Sequence, residues 1–420
     1  MFYICKKTIY VALTLLYLII AFILAEFIFS KVLSYLNIRS WDKPIPDEIK
    51  DLYPADKFEQ AKAYALDNNR VGTISGLLSL VVTISFLYFR GFAWVDNMAH
   101  ELSGNYIIQG LLFFAIVMLA SSILELPFEI YSTFVIEEKY GFNKMTASTF
   151  VMDKVKGAVL GAVIGGGIYA LLAYLFQLLG DNFWIAAWIV VSGFSLFIAA
   201  FYTSVLLPVF NKLTPLEDGE LRSKIEEYAS KVSFPLTNIM VMDGSKRSSK
   251  ANAFFSGMGS RKSIVLFDTL ISDMSTDEIT AVLAHEVGHY KKKHILQSMA
   301  LSVAQMGVLF FLFGWLARNP VMGEVLGAKE NTFYLSLVTF SMLYSPVSTV
   351  IGLFMNVFSR KNEYEADNYA KTTYGAEPLI SSLKKLYVNS LGNPQPDPAY
   401  VFVNYSHPTL LQRVRAMRAN

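Results

Sequence analysis

Seven long apolar segments constrain this chain more than any other feature. They lie at residues 8–29, 71–89, 107–127, 157–179, 183–210, 295–316 and 333–358. Each is long enough to cross a bilayer, which takes about 20 residues at about 1.5 Å rise per residue. Inside lipid every backbone N–H and C=O must find its partner within the protein, so each segment reads as a helix. Composition agrees: 54% of the 420 residues are hydrophobic and 17% are charged, against roughly 25% charged in soluble domains. Mean hydropathy is +0.40. The expectation is a mainly α, polytopic membrane protein. Segment 8–29 follows Lys6 and Lys7 as a signal peptide would, but its apolar core is too long and no A-x-A-like site follows. It is expected to stay as an anchor.

Seven spans put the termini on opposite sides, and the loops after spans one, three, five and seven then share a side. Most of the 36 Lys and Arg fall there, which the positive-inside rule makes cytoplasmic. The short loop 129–156 agrees, with Lys139, Lys144, Lys154 and Lys156, as does Lys291-Lys292-Lys293 before span six. A net charge of +2 gives no reason to expect a nucleic-acid partner, and the single cysteine, Cys5, excludes an internal disulfide.

The chain divides into 1–210 with spans one to five, a polar segment 211–294, spans six and seven at 295–358, and a C-terminal segment 359–420. Residues 31–70 mix both charge signs and look helical. Within 211–294, residues 238–243, 250–255 and 263–267 read as short strands, with turn signals at Gly244-Ser245 and Gly257-Met258-Gly259. The edge strand of such a sheet can hold an extended peptide through main-chain hydrogen bonds.

After these strands comes Leu283-Ala284-His285-Glu286-Val287-Gly288-His289, an H-E-x-x-H motif. Ser275-Thr276-Asp277-Glu278 before it fits a capping box. Residues four apart share a helix face, so His285 and His289 can hold one zinc ion, with Glu286 placed as a base toward water there. The chain has 5 histidines, and three of them fall within ten residues here. Ala281, Val282, Leu283, Ala284, Val287 and Gly288 make this a buried helix, where polar side chains need partners. The helix is expected to run without a break from Thr276 into span six. It would place the motif at the cytoplasmic membrane surface.

Catalytic zinc usually takes three protein ligands. A metzincin would place a third histidine six residues after His289, but that residue is Ile295. No acid occurs from His294 to Met322, and Glu324 falls on the opposite side of the membrane. The cluster 360–367 after span seven returns to the correct side. Its Glu363 and Asp367 share a helix face, while Glu365 points away. Glu363 is expected to bind the ion and Asp367 to hydrogen-bond a ligand histidine. A solvated charged helix is the alternative reading. His294, five residues after His289, is expected off the metal-binding face as a polar interfacial residue, and His100 has no evident partner.

These motifs sit among others. YSTFVIEEKYGFNKMT at 131–146, FNKLTPLEDGEL at 210–221, NAFF at 252–255, IVLFDTL at 264–270, residues 359–367 and SHPTLLQR at 406–413 are spread along the chain. With them the chain resembles the integral-membrane CAAX prenyl endopeptidases, seven-span zinc proteases that remove the last three residues of prenylated proteins. The resemblance implies one zinc ion per chain held by His285, His289 and Glu363, with Glu286 as general base. It implies that Asp367 and Arg413 support the site, that His407 binds the substrate carbonyl or oxyanion, and that Asn252 and Ala253 on the edge strand hold substrate backbone. The fold it implies is seven transmembrane helices around a water-filled internal chamber, with a small β-containing, gluzincin-like zinc metalloprotease region.

Glu125 and Glu129 beside span three, and Gly157, Gly161 and Gly165–Gly167 in span four, hint at a polar interior. Such glycines more commonly serve close helix packing. The implied partners are the lipid bilayer and a peptide or protein substrate. In a eukaryote this would be a prenylated C-a-a-X protein at the endoplasmic reticulum membrane. In a bacterium it would be membrane peptides or misfolded proteins at the inner membrane, handled by a quality-control protease of broad specificity. A non-enzymatic seven-helix transporter or receptor with a structural zinc site is the reading from another class. It requires protein to close the fourth coordination position, for which His407 is the distant candidate.

Overall fold

The structure is a computed structural model that describes residues 2–51, 53–256 and 262–419. Its long helices are α1 (Phe2–Arg39), α2 (Ala55–Tyr88), α3 (Tyr106–Tyr131), α4 (Ala147–Leu179), α5 (Phe183–Phe201), α6 (Thr276–Lys291), α7 (His294–Leu316) and α8 (Phe333–Thr373); a short α9 (Leu410–Arg418) closes the chain. Local chemistry starts several of them. The Asn105 side chain accepts from the N–H groups of Ile107 and Ile108, Thr146 from Thr149, and Thr332 from Leu335. Each satisfies N–H groups that a first helical turn otherwise leaves without partners.

Six helical stretches are long and apolar enough to cross a membrane. The longest, Ala147–Phe210, has 64 residues. As one straight helix it would run about 96 Å, roughly three times a hydrocarbon core. A turn at Gly180–Asn182 folds it instead, with Gly180 at φ +58°, and α4 and α5 pack side by side. Counting both halves gives the seven apolar crossings of the sequence reading, in a multi-pass membrane protein.

The spans are packed at their two ends and loosely between. At one end Phe113, Phe183, Phe313, Phe333 and Tyr334 form a fully buried aromatic core. At the other, Ile225, Leu266, Ile279, Leu283, Ala370 and Val414 bury the sheet and α6. Along the spans, no apolar window has more than 17% of its residues buried inside the protein. A Cβ added at Gly157, Gly161, Gly165 or Gly167 of α4 would meet nothing within 4 Å. These glycines therefore do not serve close helix packing. Low burial of this kind is shown by helix faces turned to lipid as well as by faces turned to an internal chamber.

The sheet has four strands, β1 (Leu213–Pro215), β2 (Leu236–Met242), β3 (Ala253–Ser256) and β4 (Lys262–Phe267), in the order β1-β2-β4-β3. β2 and β4 run parallel, and β1 and β3 pair antiparallel at the two edges. The three strands read from sequence are present; β1 was not foreseen, being three residues long with Pro215, which only an edge tolerates. The turn at Gly257-Met258-Gly259 lies outside the described residues.

One expectation fails. The helix from Thr276 does not run on into span six. It begins as foreseen, with Ser275 and Glu278 forming a reciprocal capping box, but it ends at Lys291. The N–H groups of Lys292 and Lys293 bond to the carbonyls of Gly288 and Tyr290, and Lys293 takes a left-handed φ of +60°. That conformation costs a non-glycine residue on the order of 1 kcal/mol. A continued helix would have carried three successive lysines through an apolar surface. The break places them at the corner and starts α7 in a new phase.

Candidate metal centre

Helices α6 and α8 pack against each other, and their contact creates the site. Gly288 lets the backbones meet. A Cβ there would lie 2.9 Å from Ala366 Cα and 3.0 Å from its carbonyl oxygen, atoms that cannot rotate away. Gly288→Ala is therefore expected to push α6 from α8, destabilise the fold by about 1–3 kcal/mol, and weaken metal binding by separating His285 and His289 from Glu363. Thermal unfolding and metal content check this; wild-type values for both would contradict it.

The contact brings three groups into one cluster, His285, His289 and Glu363, whose candidate ligand atoms all lie within 4.8 Å of one another. The two Nε2 atoms are 3.2 Å apart, His285 Nε2 is 3.4 Å from Glu363 Oε2, and His289 Nε2 is 3.3 Å from Glu363 Oε1. Glu363 Oε2 is buried and has no hydrogen-bond partner. Two imidazole nitrogens and a buried carboxylate converging this closely form a donor set suited to a cation. Tetrahedral zinc with ligands at about 2.0–2.1 Å would separate donors by about 3.3 Å. The residues fit such an ion. Among the described residues the cluster comprises these three candidate ligands.

Asp367, one turn beyond Glu363 on α8, has Oδ1 2.9 Å from His285 Nδ1. Arg413 on α9 backs it with two hydrogen bonds, 2.8 and 2.6 Å, and also lies 3.6 Å from Glu363 Oε2. Burial works against a charged His285, but hydrogen bonds to Asp367 and Glu363 outweigh it and raise its pKa to about 9. In the metal-free protein this imidazole thus holds a proton below about pH 9 that a metal must displace. Apparent metal affinity is expected to rise with pH and level off above that value. Calorimetric titration at several pH values checks this; affinity that stays flat between pH 6 and 9 would contradict it.

The other expected residues fall as follows. Glu286 is half-buried beside His285 on α6. His407 is exposed, with Nε2 3.2 Å from Glu363 Oε1 and Nδ1 2.9 Å from Ser406 Oγ. Asn252 is exposed at the start of β3, which packs beside α6. Its carbonyl accepts from Phe267 N–H in β4, and its side chain accepts from Ala253 N–H. Since backbone groups alternate sides in an antiparallel pair, those of Ala253 face the free edge.

Two histidines depart from the sequence reading. His294 is not a polar interfacial residue. It is only 3% exposed, with Nδ1 3.0 Å from His289 Nδ1 and Nε2 3.3 Å from Glu365 Oε2. Glu365, off the face of Glu363, thus reaches the site through His294. His100 does have a partner, with Nδ1 3.4 Å from Asp96 Oδ1, far from this cluster in sequence.

Known proteins are similar to this chain along most of its length. Residues 34–212 match the family described as CAAX prenyl protease N-terminal, five membrane helices, and residues 215–420 match peptidase family M48. The CAAX prenyl protease 1 homolog of rice is 37% identical, over 97% of this chain and 98% of its own. The CAAX prenyl protease 1 of Saccharomyces cerevisiae is 33% identical, over 95% of this chain and 94% of its own. The crystal structure of S. mikatae Ste24p superposes with a TM-score of 0.91 at 33% identity, covering 96% of this chain and 99% of that one. With two family matches that together cover residues 34–212 and 215–420, the His-His-Glu cluster included, this chain belongs to the CAAX prenyl protease 1 family within the M48 metallopeptidases, and is a multi-pass membrane metalloendopeptidase.

Proposed function

We propose that His285, His289 and Glu363 hold one zinc ion and that the site hydrolyses a peptide bond near the C-terminus of a prenylated C-a-a-X protein. The observation that carries the metal assignment is the buried Glu363 carboxylate, with Oε2 facing His285 Nε2 and making no hydrogen bond, and Oε1 facing His289 Nε2. A zinc ion there supplies a Lewis acid and lowers the pKa of water toward about 7. The chain supplies the rest. Glu286, one residue after His285, takes the proton from attacking water and returns it to the leaving amine. His407, exposed beside Glu363, donates from Nε2 to the carbonyl oxygen as negative charge grows there, a contribution of about 3 kcal/mol for such a donor. Ala253 offers its carbonyl to the substrate along the free edge of β3, with Asn252, which accepts from the Ala253 N–H, holding the strand end. Asp367 and Arg413 keep His285 oriented.

The prenylated substrate rests on the names of the relatives. The bias of Lys and Arg supports an active site on the cytoplasmic side. It would face the cytoplasm from the endoplasmic reticulum membrane in a eukaryote and from the inner membrane in a bacterium. Metal analysis tests the assignment. Purified protein is expected to carry one zinc per chain, and Glu363→Ala to lose it. Full zinc content in that variant would remove Glu363 from the ligand set.

A further inference from the structure

We propose that His294 and Glu365 are a positioning pair that fixes the tautomer and ring orientation of His289 from the membrane side of the site. The inference rests on the zinc reading above and deepens it. Each ligand histidine has an outer partner, but the two partners differ in chemistry. His285 donates from Nδ1 to a carboxylate, Asp367, at 2.9 Å. His289 has no carboxylate at its Nδ1; it has another imidazole, His294 Nδ1, at 3.0 Å.

Two neutral imidazole nitrogens can share a hydrogen bond only if one donates and the other accepts. For His289 Nε2 to keep its lone pair for a metal, His289 must carry its proton on Nδ1 and donate. His294 must then accept at Nδ1, which places its own proton on Nε2. That nitrogen lies 3.3 Å from Glu365 Oε2, an acceptor. The order Glu365, His294, His289 thus sets both tautomers in one consistent sense. His294 cannot be an extra ligand of the same ion, because it contacts the ring nitrogen of His289 that faces away from Glu363.

The fold shows why this pair exists. The left-handed Lys293 ends α6 and turns the first residue of α7 back beside His289. Glu365 comes from α8, two residues past Glu363. A cavity of about 480 Å³ borders His289 and His294 and is lined by Ser298, Ser302, Met299 and Asn362. Without His294, water from that space would take its place at His289 Nδ1 and, as donor or acceptor alike, leave the tautomer unfixed.

The test is zinc affinity of the purified full-length protein in detergent, measured by competition with a chromogenic chelator, for variants that separate the two bonds. In asparagine the side-chain oxygen sits where His294 has Nδ1, so His294→Asn keeps the acceptor toward His289 and loses the reach to Glu365. His294→Gln does the reverse. His294→Gln and His294→Leu are expected to weaken zinc binding about 10- to 100-fold, and His294→Asn about threefold or less. Glu365→Leu is expected to weaken binding about 10-fold in the wild-type background and to add nothing to His294→Asn. Thermal unfolding of the metal-free variants shows whether packing alone has changed. Equal losses in the Asn and Gln variants, or no loss in any of them, would overturn the positioning role. His285→Ala and Glu363→Ala are run beside them. If those two keep wild-type affinity, the zinc reading itself fails; if they lose zinc while all His294 variants keep it, only the positioning pair fails.

Discussion

Glu286→Gln is expected to lower kcat by roughly 10³-fold while leaving zinc content and thermal unfolding at wild-type values. The substitution keeps shape and hydrogen-bonding reach and removes only the capacity to take a proton. His285 and His289 are untouched, since the contacts at their Nδ1 atoms are with Asp367 and His294 rather than with Glu286. A single group acting as base toward water and then as acid toward the amine serves two steps, so its loss falls on kcat more than on KM. Rapid-quench cleavage of a peptide with parallel metal analysis checks this. More than about a tenth of wild-type turnover would assign the proton to another group.

Arg413→Leu is expected to destabilise the metal-free protein by about 3–5 kcal/mol, the largest stability effect of a single change in the site. Arg413 is 8% exposed and Asp367 1%, and their two-pronged pairing is closed off from solvent. Removing the guanidinium leaves the Asp367 carboxylate buried with no cation except a protonated His285. Arg413→Lys is expected to recover only part of the loss, because an ammonium cannot reproduce two parallel N–H bonds. Removing both partners, in Arg413→Leu with Asp367→Leu, is expected to cost less in stability than Arg413→Leu alone, since no charge is then stranded. Unfolding in detergent measures all three. A shift below about 1 kcal/mol for Arg413→Leu would show that the pair is solvated in solution.

How much of this was legible depends on where the information sits. The spans were readable because burial in lipid leaves a continuous apolar run. The metal helix was readable because its signals are local: Ser275 and Glu278 cap it, and four-residue spacing puts His285 and His289 on one face. Glu363 required topology, since beyond the motif the segment after span seven is the one that returns to the same side. His294 was illegible for a definite reason. On a continuous helix, five residues turn about 140°, which aims it away from His289. One left-handed residue, Lys293, resets that phase, and nothing in residue spacing announces a single positive φ on a lysine. Glu365 was lost with it, because its partner sits on another element. β1 is too short to leave a pattern, and the glycines of α4 read equally as packing sites or as lining of an open interior. That choice depends on neighbours that periodicity does not reveal.

Cleavage of membrane-delivered peptides by the purified protein, with and without a chelator, tests the central claim most directly. The panel holds a farnesylated C-a-a-X peptide, its unprenylated twin and an unrelated apolar peptide. The predicted result is release of the last three residues from the farnesylated peptide, abolished by the chelator, restored by zinc and much weaker for the twin. Equal cleavage of all three would replace the prenyl-specific reading with a broad membrane protease. No cleavage of any, in protein carrying one zinc per chain, would contradict the assignment of the site as catalytic.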